Sequence, residues 1–188
     1  MKYDILLAGV GGQGVLSIAA VIASAAMTEG LQVRQSEVHG MSQRGGGVQA
    51  HLRISDTTIA SDLIPRGKAD MILSMEPLES LRYLEWLSPS GIIVTNAEAF
   101  VNIPNYPDLG QVYKTIEATG SSRIVKSAEL AREAGNLKAE NMVLIGAALE
   151  KIPVSKTTII NAIKERFGKK DPKLVDINIA ALELGAKK

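Results

Sequence analysis

A glycine turn between a wholly apolar strand and a long helix most constrains what this chain can fold into. Residues 4–10 contain the run Ile5–Ala8, which has no polar alternation and so indicates a strand buried on both faces, as in parallel sheets. The turn Gly9–Gly14 follows, and an apolar stripe at three- and four-residue spacing predicts a helix to about Glu29. Leu31–Val38 predicts a second strand, which completes a strand–helix–strand crossover unit.

The rest of the chain continues as strands and helices without a linker or an internal repeat. The predicted strands are 48–54, which alternates and therefore has one exposed polar face, and the short buried runs 71–75 and 91–95. The predicted helices are 77–87, 127–134, 141–149, 155–167 and 176–184, and 97–111 is predicted as mostly loop. This order predicts a single α/β domain over residues 1–188, with a Rossmann-like, mostly parallel sheet, flanking helices and a helical C-terminal part.

Composition excludes several classes of function. The net charge of +1 gives no electrostatic basis for binding nucleic acid or an anionic membrane. The first residues lack the regions of a signal peptide and no apolar run can span a bilayer, so we expect a cytoplasmic protein. With no cysteine, the chain forms no disulfide and holds no iron–sulfur cluster, and two histidines make a histidine-rich metal site improbable.

The glycine turn has the pattern G-x-G-x-x-G and has three interpretations. Glycines at Gly11, Gly12 and Gly14 permit close backbone approach, and the start of the helix favours an anion. Dinucleotide binding would also require an acid at the end of the second strand, a position that Glu37 approaches. The bulky Gln13 counts against dinucleotide binding, and so does the absence of an evident second half of a dinucleotide-binding fold. The alternatives are another phosphate or partner contact and a purely structural turn.

A second polar segment follows the second predicted strand, at the edge where α/β proteins bind ligands. It runs from Ser36 to Gly47, ends in three glycines and carries chemically different polar groups, of which the candidates are Glu37, His39, Ser42, Gln43 and Arg44. A solvated surface loop would not need such variety, so the segment predicts a binding or interface role. A hydrogen-bonding role is favoured over a catalytic one for His39.

Polar residues also follow other predicted strands. Glu76 comes after the strand at 71–75, and Asn96 and Glu98 come after the strand at 91–95. Each either lines the same sheet edge or serves the start of the next helix. Asn141 leads an apolar helix, where a cap or a buried hydrogen-bonding group is favoured over a ligand contact.

Four stretches together resemble a known family. Ala8–Val15 and Ser36–Gly46 resemble the gamma-type subunits of 2-oxoacid:ferredoxin oxidoreductases, as do Ala139–Ala147 and Asn178–Gly185. The resemblance thus extends over nearly the whole chain. His39–Arg44 and the free-standing length are most similar to the beta subunits of indolepyruvate ferredoxin oxidoreductases.

This resemblance implies a role within a complex. Such complexes oxidatively decarboxylate a 2-oxoacid to an acyl-CoA with thiamine diphosphate and Mg, and pass electrons through iron–sulfur clusters to ferredoxin. This chain lacks cysteine and the G-D-G motif of a thiamine diphosphate site, so these cofactors are expected on a large alpha subunit, with CoA as co-substrate of the complex. The substrates implied are indolepyruvate and other aryl pyruvates. The chain would be inactive alone.

Two alternatives remain open at this stage. One is a free-standing nucleotide- or dinucleotide-binding oxidoreductase, and the other is a structural subunit that touches no ligand. Under the favoured interpretation, the turn Gly11–Gly14 and the segment Ser42–Arg44 form a polar wall at the carboxyl edge of the sheet. That wall would face the partner's active centre or the phosphates of CoA, with the Arg44 guanidinium as a forked donor.

Overall fold

The computed structural model describes residues 1–39, 45–101, 103–168 and 171–188. These residues form one six-stranded sheet with the order β2-β3-β1-β4-β5-β6. The strands are β1 (Lys2–Val10), β2 (Gln32–His39), β3 (Gly47–Ser55), β4 (Ala69–Ser74), β5 (Leu87–Asn96) and β6 (Ser122–Val125). Three neighbouring pairs, from β1 to β6, are parallel, whereas β3 is antiparallel to both β1 and β2. The predicted α/β architecture with a mostly parallel sheet is confirmed.

Helices cover both faces of this sheet. They are α1 (Val15–Thr28), α2 (Pro77–Arg82), α3 (Leu109–Glu117), α4 (Ser127–Glu133), α5 (Glu140–Ala148), α6 (Lys156–Gly168) and α7 (Pro172–Gly185). The larger core lies under α1 and α4–α7, and the smaller core lies under α2 and α3 on the opposite face. In the part of the chain that the structure describes, no helix is long and apolar enough to cross a membrane.

Two elements were missed by the sequence pattern. The helix α3 begins inside the stretch predicted as loop, because its capping residue Asp108 accepts a hydrogen bond from the backbone N–H of Gln111 (3.0 Å) just after two prolines. The strand β6 is only four residues long and incompletely buried, so it has no apolar run to identify it. The sequence predicts a crossover from β1 to β2. The two strands run in the same direction, but β3 lies between them and is antiparallel to both.

The polar face of β3 is buried, which differs from the predicted half-exposed strand. The segment 56–65 folds across this face, leaving His51 and Arg53 only 4% and 9% exposed. The Arg53 guanidinium donates to both carboxylate oxygens of Asp4 (2.9 and 3.2 Å) and to the carbonyls of Ser61 and Leu63 (2.9 and 3.0 Å). The covering segment therefore supplies the partners that these polar side chains need in order to be buried.

Two glycines let α5 and α7 cross at very short range. A Cβ atom at Gly146 would overlap the carbonyl oxygen of Leu182, and one at Gly185 would overlap the carbonyl oxygen of Val143. The two late stretches that carry the family resemblance thus pack against each other. At Gly146 and Gly185 this helix crossing leaves no room for a side chain.

Candidate functional site

The two glycine-rich segments predicted from the sequence meet at the carboxyl end of β1. The backbone N–H of Gly11 donates to the carbonyl of Gly46 (2.8 Å), and the N–H of Gly45 donates to the carbonyl of Gly11 (3.3 Å). This pairing extends the β1–β3 ladder by one step beyond Val10 and Gly47. The end of the second loop therefore lies directly beside the first turn.

Within the first turn, the glycines and Gln13 have different structural roles. Gly12 and Gly14 have φ angles of 102° and 80°, which L-residues with a side chain adopt only at a cost. The Gln13 amide accepts from the backbone N–H of Val10 (2.8 Å) and donates to the carbonyl of Met75 (3.3 Å). Gln13 thereby bridges the carboxyl ends of β1 and β4, and it also lines the cleft described below.

The remaining predicted site residues are described to different extents. Glu37 is exposed on β2, which forms one edge of the sheet, and its carboxylate accepts from the Gln35 amide (3.5 Å). His39 ends β2, where its backbone is in register with Val48. Ser42, Gln43 and Arg44 lie outside the described residues, so their part in the proposed polar wall stays a prediction.

A cleft of about 620 Å³ opens at the carboxyl ends of β1 and β4, from which the chain continues to opposite faces of the sheet. The helix that follows β1 covers one face and the helix that follows β4 covers the other, which is the arrangement at which α/β proteins bind ligands. The cleft is lined by Gly12, Gln13, Gly14, Met75, Asn96, Glu98, Ala99, Phe100, Ala128, Arg132, Leu137, Lys138, Glu140 and Asn141. One wall is the predicted glycine turn, and the opposite wall comes from the α4–α5 region.

Asn141 and Asn96 fix the two sides of this cleft. The Asn141 amide donates to the carbonyl of Gly14 (2.9 Å), which ties the start of α5 to the glycine turn. Asn96 accepts from the hydroxyl of Ser127 (2.7 Å), and that hydroxyl lies 3.1 Å from a carboxylate oxygen of Glu140. Both residues stood out in the sequence as polar groups at element ends. Their partners, 127 residues away for Asn141 and 31 residues away for Asn96, carried no local signal.

Glu76 is almost completely buried and fastens the segment that borders the cleft. One of its oxygens caps α2 by accepting from the backbone N–H of Glu79 (2.8 Å). The other accepts from the backbone N–H of Phe100 (3.3 Å) and from the hydroxyl of Tyr106. Glu76 therefore caps the helix that follows its strand, which was one of its two interpretations, and it also holds the segment that contains Phe100 and Tyr106.

The electrostatics of the carboxyl edge are mixed. Burial raises the pKa of the Glu140 carboxyl, and the nearby Glu98 carboxylate raises it further. Burial likewise raises the pKa of Glu79, although its Oε1 accepts from Arg82 (2.9 Å). Arg132 and Lys138 are exposed on the same cleft and supply positive charge.

These features define what the cleft can do. The start of the 14-residue helix α1, with Arg132 and Lys138, suits an anionic group such as a phosphate. Glu98 and Glu140 suit groups that donate N–H bonds. Among the described residues, no group of three or more histidine, aspartate or glutamate side chains comes together as metal ligands.

Comparison with known proteins gives a consistent result. Residues 4–188 match the family model described as pyruvate ferredoxin/flavodoxin oxidoreductase. The indolepyruvate oxidoreductase subunit IorB of Thermococcus kodakarensis is 39% identical over 196 aligned positions, which cover 99% of this chain and 95% of that protein. The pyruvate oxidoreductase subunit PORC of Thermotoga maritima shares the fold, with a TM-score of 0.78 at 23% identity over 100% of this chain and 96% of its own.

A longer protein contains the same fold. The 2-oxoglutarate:ferredoxin oxidoreductase from Magnetococcus marinus, whose structure has 2-oxoglutarate, coenzyme A and succinyl-CoA bound, matches 99% of this chain with a TM-score of 0.78 at 21% identity. The match spans only 30% of that chain. The fold is therefore found both as a separate protein and as one part of a larger polypeptide.

Proposed function

Because the chain belongs to the pyruvate ferredoxin/flavodoxin oxidoreductase family, we propose that it is the cofactor-free subunit of an indolepyruvate-type complex. It is a subunit of an oxoacid oxidoreductase complex, as its relatives are. The observation that carries the proposal is the 39% identity to an indolepyruvate oxidoreductase subunit over nearly the full length of both chains. The complex would convert indolepyruvate and other aryl pyruvates to acyl-CoA and reduce ferredoxin, and we propose a cytoplasmic location for it.

The residues of this chain do not fit the redox cofactors of such a reaction. Iron–sulfur clusters are held by thiolates, and the sequence has no cysteine. The sequence also lacks the G-D-G motif followed by a metal-binding Asn that a Mg-bound thiamine diphosphate site requires. We therefore assign thiamine diphosphate, Mg and the clusters to a large alpha subunit, and the chain itself has no catalytic residue in this proposal.

The phosphates of CoA suit this chain's own residues. The Gly12–Gly14 turn at the start of α1 and the cations Arg132 and Lys138 face one cleft, which is favourable for phosphate groups. The Magnetococcus marinus protein that shares the fold binds coenzyme A. We propose that the cleft and the adjoining segment Ser42–Arg44 contact CoA phosphates or the partner's active centre.

The free-standing dinucleotide enzyme is not supported. All the relatives compared above are oxoacid oxidoreductases or their subunits. Moreover, Glu37, the acid that dinucleotide binding would require beside the glycine turn, lies on β2, and β3 separates β2 from β1.

Reconstitution tests this proposal. The chain would be mixed with the thiamine diphosphate and iron–sulfur subunit from the same organism, and reduction of ferredoxin would be followed with indolepyruvate, phenylpyruvate or 2-oxoglutarate. We expect CoA-dependent activity with the two aryl pyruvates only in the mixture, and none from either subunit alone. Activity or visible iron–sulfur absorption from the isolated chain would contradict the proposal.

A matched pair of variants tests the CoA contact. Gly12→Ala introduces a side chain at φ 102°, so we expect a raised KM for CoA and an unchanged KM for the 2-oxoacid. Gly30→Ala is the control, because Gly30 also has a positive φ of 79° but follows α1 at its far end. If both variants change the KM for CoA equally, backbone strain rather than ligand contact explains the result.

A further inference from the structure

One buried hydroxyl beside the cleft faces more acceptors than it can serve. The side-chain oxygen of Ser127 lies 2.7 Å from Oδ1 of Asn96 and 3.1 Å from Oε2 of Glu140. A serine hydroxyl carries a single hydrogen, so it can donate fully to only one of these two atoms. The hydrogen of the other contact has to come from the other side.

The Asn96 amide settles the direction of the shorter contact. The backbone N–H of Ser127 also points to Oδ1 of Asn96, at 3.4 Å. Turning this amide round would place its NH2 group against that backbone donor, so the oxygen is the atom that faces Ser127. An amide oxygen only accepts hydrogen bonds. The hydrogen of the Ser127 hydroxyl is therefore used on Asn96.

Glu140 then has to supply the hydrogen of the second contact. The Ser127 oxygen can still accept, because a hydroxyl offers two lone pairs besides its hydrogen. A protonated Glu140 donates to that oxygen through Oε2, whereas an ionised carboxylate would face only its lone pairs. With the proton on Glu140, a continuous series of hydrogen bonds runs from Glu140 through Ser127 to Asn96.

The charges around Glu140 favour the protonated form on balance. Burial raises the pKa of Glu140, and the Glu98 carboxylate, which follows β5, raises it further. Arg132 on α4 opposes this, and so does the start of α5, where a helix favours a negative charge. Ser127 would lower the pKa only by donating to Glu140, which its bond to the amide prevents. The net direction is upward.

The charge of the cleft depends on this one proton. Among the described residues, the charged groups that line the cleft are the cations Arg132 and Lys138 and the acids Glu98 and Glu140. With both acids ionised this lining is formally neutral, and with a proton on Glu140 it carries a charge of +1. The positive start of α1 faces the same space. A protonated Glu140 therefore makes the cleft favourable for an anion, and an ionised one opposes it.

We propose that Glu140 holds a proton, donates it in a hydrogen bond to Ser127, and thereby lets the acid-lined cleft accept a phosphate group. Glu140 thus contributes to binding by being neutral, whereas Arg132 and Lys138 contribute by being charged. This inference rests on the proposed function, because it takes the phosphate to belong to CoA.

The pKa of Glu140 in the isolated chain tests the direction of the hydrogen bond. NMR of the carboxyl carbons would follow its titration, with the Glu140 signal identified by its absence in Glu140→Gln. Ser127→Ala removes the acceptor of the Glu140 hydrogen, so we expect the pKa to fall. If the hydroxyl donated to a carboxylate instead, the same variant would raise the pKa and overturn the inference. Thr115→Ala, which removes an exposed hydroxyl on α3, should leave the pKa unchanged.

CoA binding to the reconstituted complex tests the consequence. The affinity of the unmodified complex should fall from pH 6 to pH 8 relative to that of Glu140→Gln, whose side chain is always neutral. We expect the ratio of the two dissociation constants to change roughly tenfold, as for a charge placed near a phosphate. The titration of CoA itself affects both proteins alike. Glu133→Gln, at the exposed end of α4, is the matched control and should follow the unmodified complex.

The outcomes separate this inference from the proposed function. If the complex oxidises indolepyruvate with CoA but the ratio is constant with pH, the inference is wrong and the proposed function stands. Inorganic pyrophosphate should bind more weakly than CoA with the same pH dependence, and equal affinity would contradict the assignment to CoA. If the complex makes no use of CoA, the proposed function fails, and the sign of the Ser127→Ala shift alone shows whether Glu140 is the donor.

Discussion

The sheet has an amino edge, where the parallel strands begin, and a carboxyl edge, where they end. Buried polar groups are paired differently at these two edges. At the amino edge, where β1 begins and β3 ends, the Arg53 guanidinium is bonded to Asp4 and to two backbone carbonyls. At the carboxyl edge, Glu79 and Glu98 each bury one carboxylate oxygen without a partner. In the described residues, the only other buried side-chain atom of this kind is the neutral hydroxyl of Ser88.

This difference separates structural polar groups from those available for binding. A buried ion pair with all its partners present is complete when the chain folds, and it stabilises the position of segment 56–65. A buried carboxylate oxygen without a hydrogen-bond partner reduces the stability of the free chain, as one oxygen each of Glu79 and Glu98 does here. The contrast separates an ion pair that the fold completes from carboxylate oxygens that the fold leaves without a partner.

The largest expected effect lies at the amino edge. Arg53→Met should destabilise the chain by about 3–5 kcal/mol, because it leaves the Asp4 carboxylate buried with only Lys2 as a cationic partner. The free energy of unfolding in urea measures this loss. Arg34→Met is the control, since Arg34 is 57% exposed and forms a loose ion pair. Equal losses in both variants would remove the distinction between the edges.

Glu76→Ala tests a buried acid at the carboxyl edge whose two oxygens both have hydrogen-bond partners. We expect a loss of about 2 kcal/mol, because the cap of α2 and the bonds to Phe100 and Tyr106 disappear together. Hydrogen exchange should also become faster at the backbone N–H of Phe100. Glu85→Ala, which removes an exposed ion pair with Arg66, should change stability little. An unchanged exchange rate at Phe100 would show that Glu76 does not hold this segment.

Glu79→Gln tests an acid at the same edge that has one buried oxygen without a hydrogen-bond partner. Burial raises the pKa of Glu79, so its contribution to stability is present below its ordinary pKa and is lost as pH rises through the raised value. At neutral pH the neutral amide should therefore stabilise the isolated chain, by up to about 1 kcal/mol. Unfolding in urea at pH 7.5 and pH 4.5 measures the effect, which should shrink at the lower pH. Destabilisation at pH 7.5 would contradict it.

His51 should give the smallest effect and the opposite pH dependence. Burial lowers the pKa of His51, and its Nδ1 accepts from the backbone N–H of Ile64 (3.0 Å), which requires an unprotonated Nδ1. Its contribution is therefore present above about pH 6.5, the ordinary histidine pKa, and is lost as pH falls towards the lowered value. Unfolding midpoints from pH 7.5 to pH 5 should fall less in His51→Gln than in the unmodified chain. Identical slopes would exclude this role.

Local patterns in the sequence predict the start of the fold well. The apolar run at Ile5–Ala8, the glycine turn and the stripe of α1 each depend on neighbours a few residues apart, and the structure has all three. The polar face of β3 shows where such patterns fail. The alternation correctly separates two faces, but the cover over His51 and Arg53 comes from a later segment.

Only one wall of the cleft, the glycine turn, could be predicted from the sequence, because the other wall depends on residues far apart in the chain. Gly12, Gln13 and Gly14 stood out because glycines at a strand–helix turn have a local meaning. Arg132 and Lys138 did not, because an exposed basic residue near a helix end is common and only the tertiary fold sets it opposite the turn. Glu98 was noted as a strand-end acid, but its unpartnered oxygen depends on packing that no sequence pattern records.

The glycine crossing of α5 and α7 links the last helix of the chain to the cleft by direct backbone contact. With backbone set against backbone at Gly146 and Gly185, no compressible side chain lies between the two helices there. Asn141, at the start of α5, is bonded to the glycine turn. The position of α7 therefore constrains the position of α5 and, through Asn141, that of the backbone that borders the cleft.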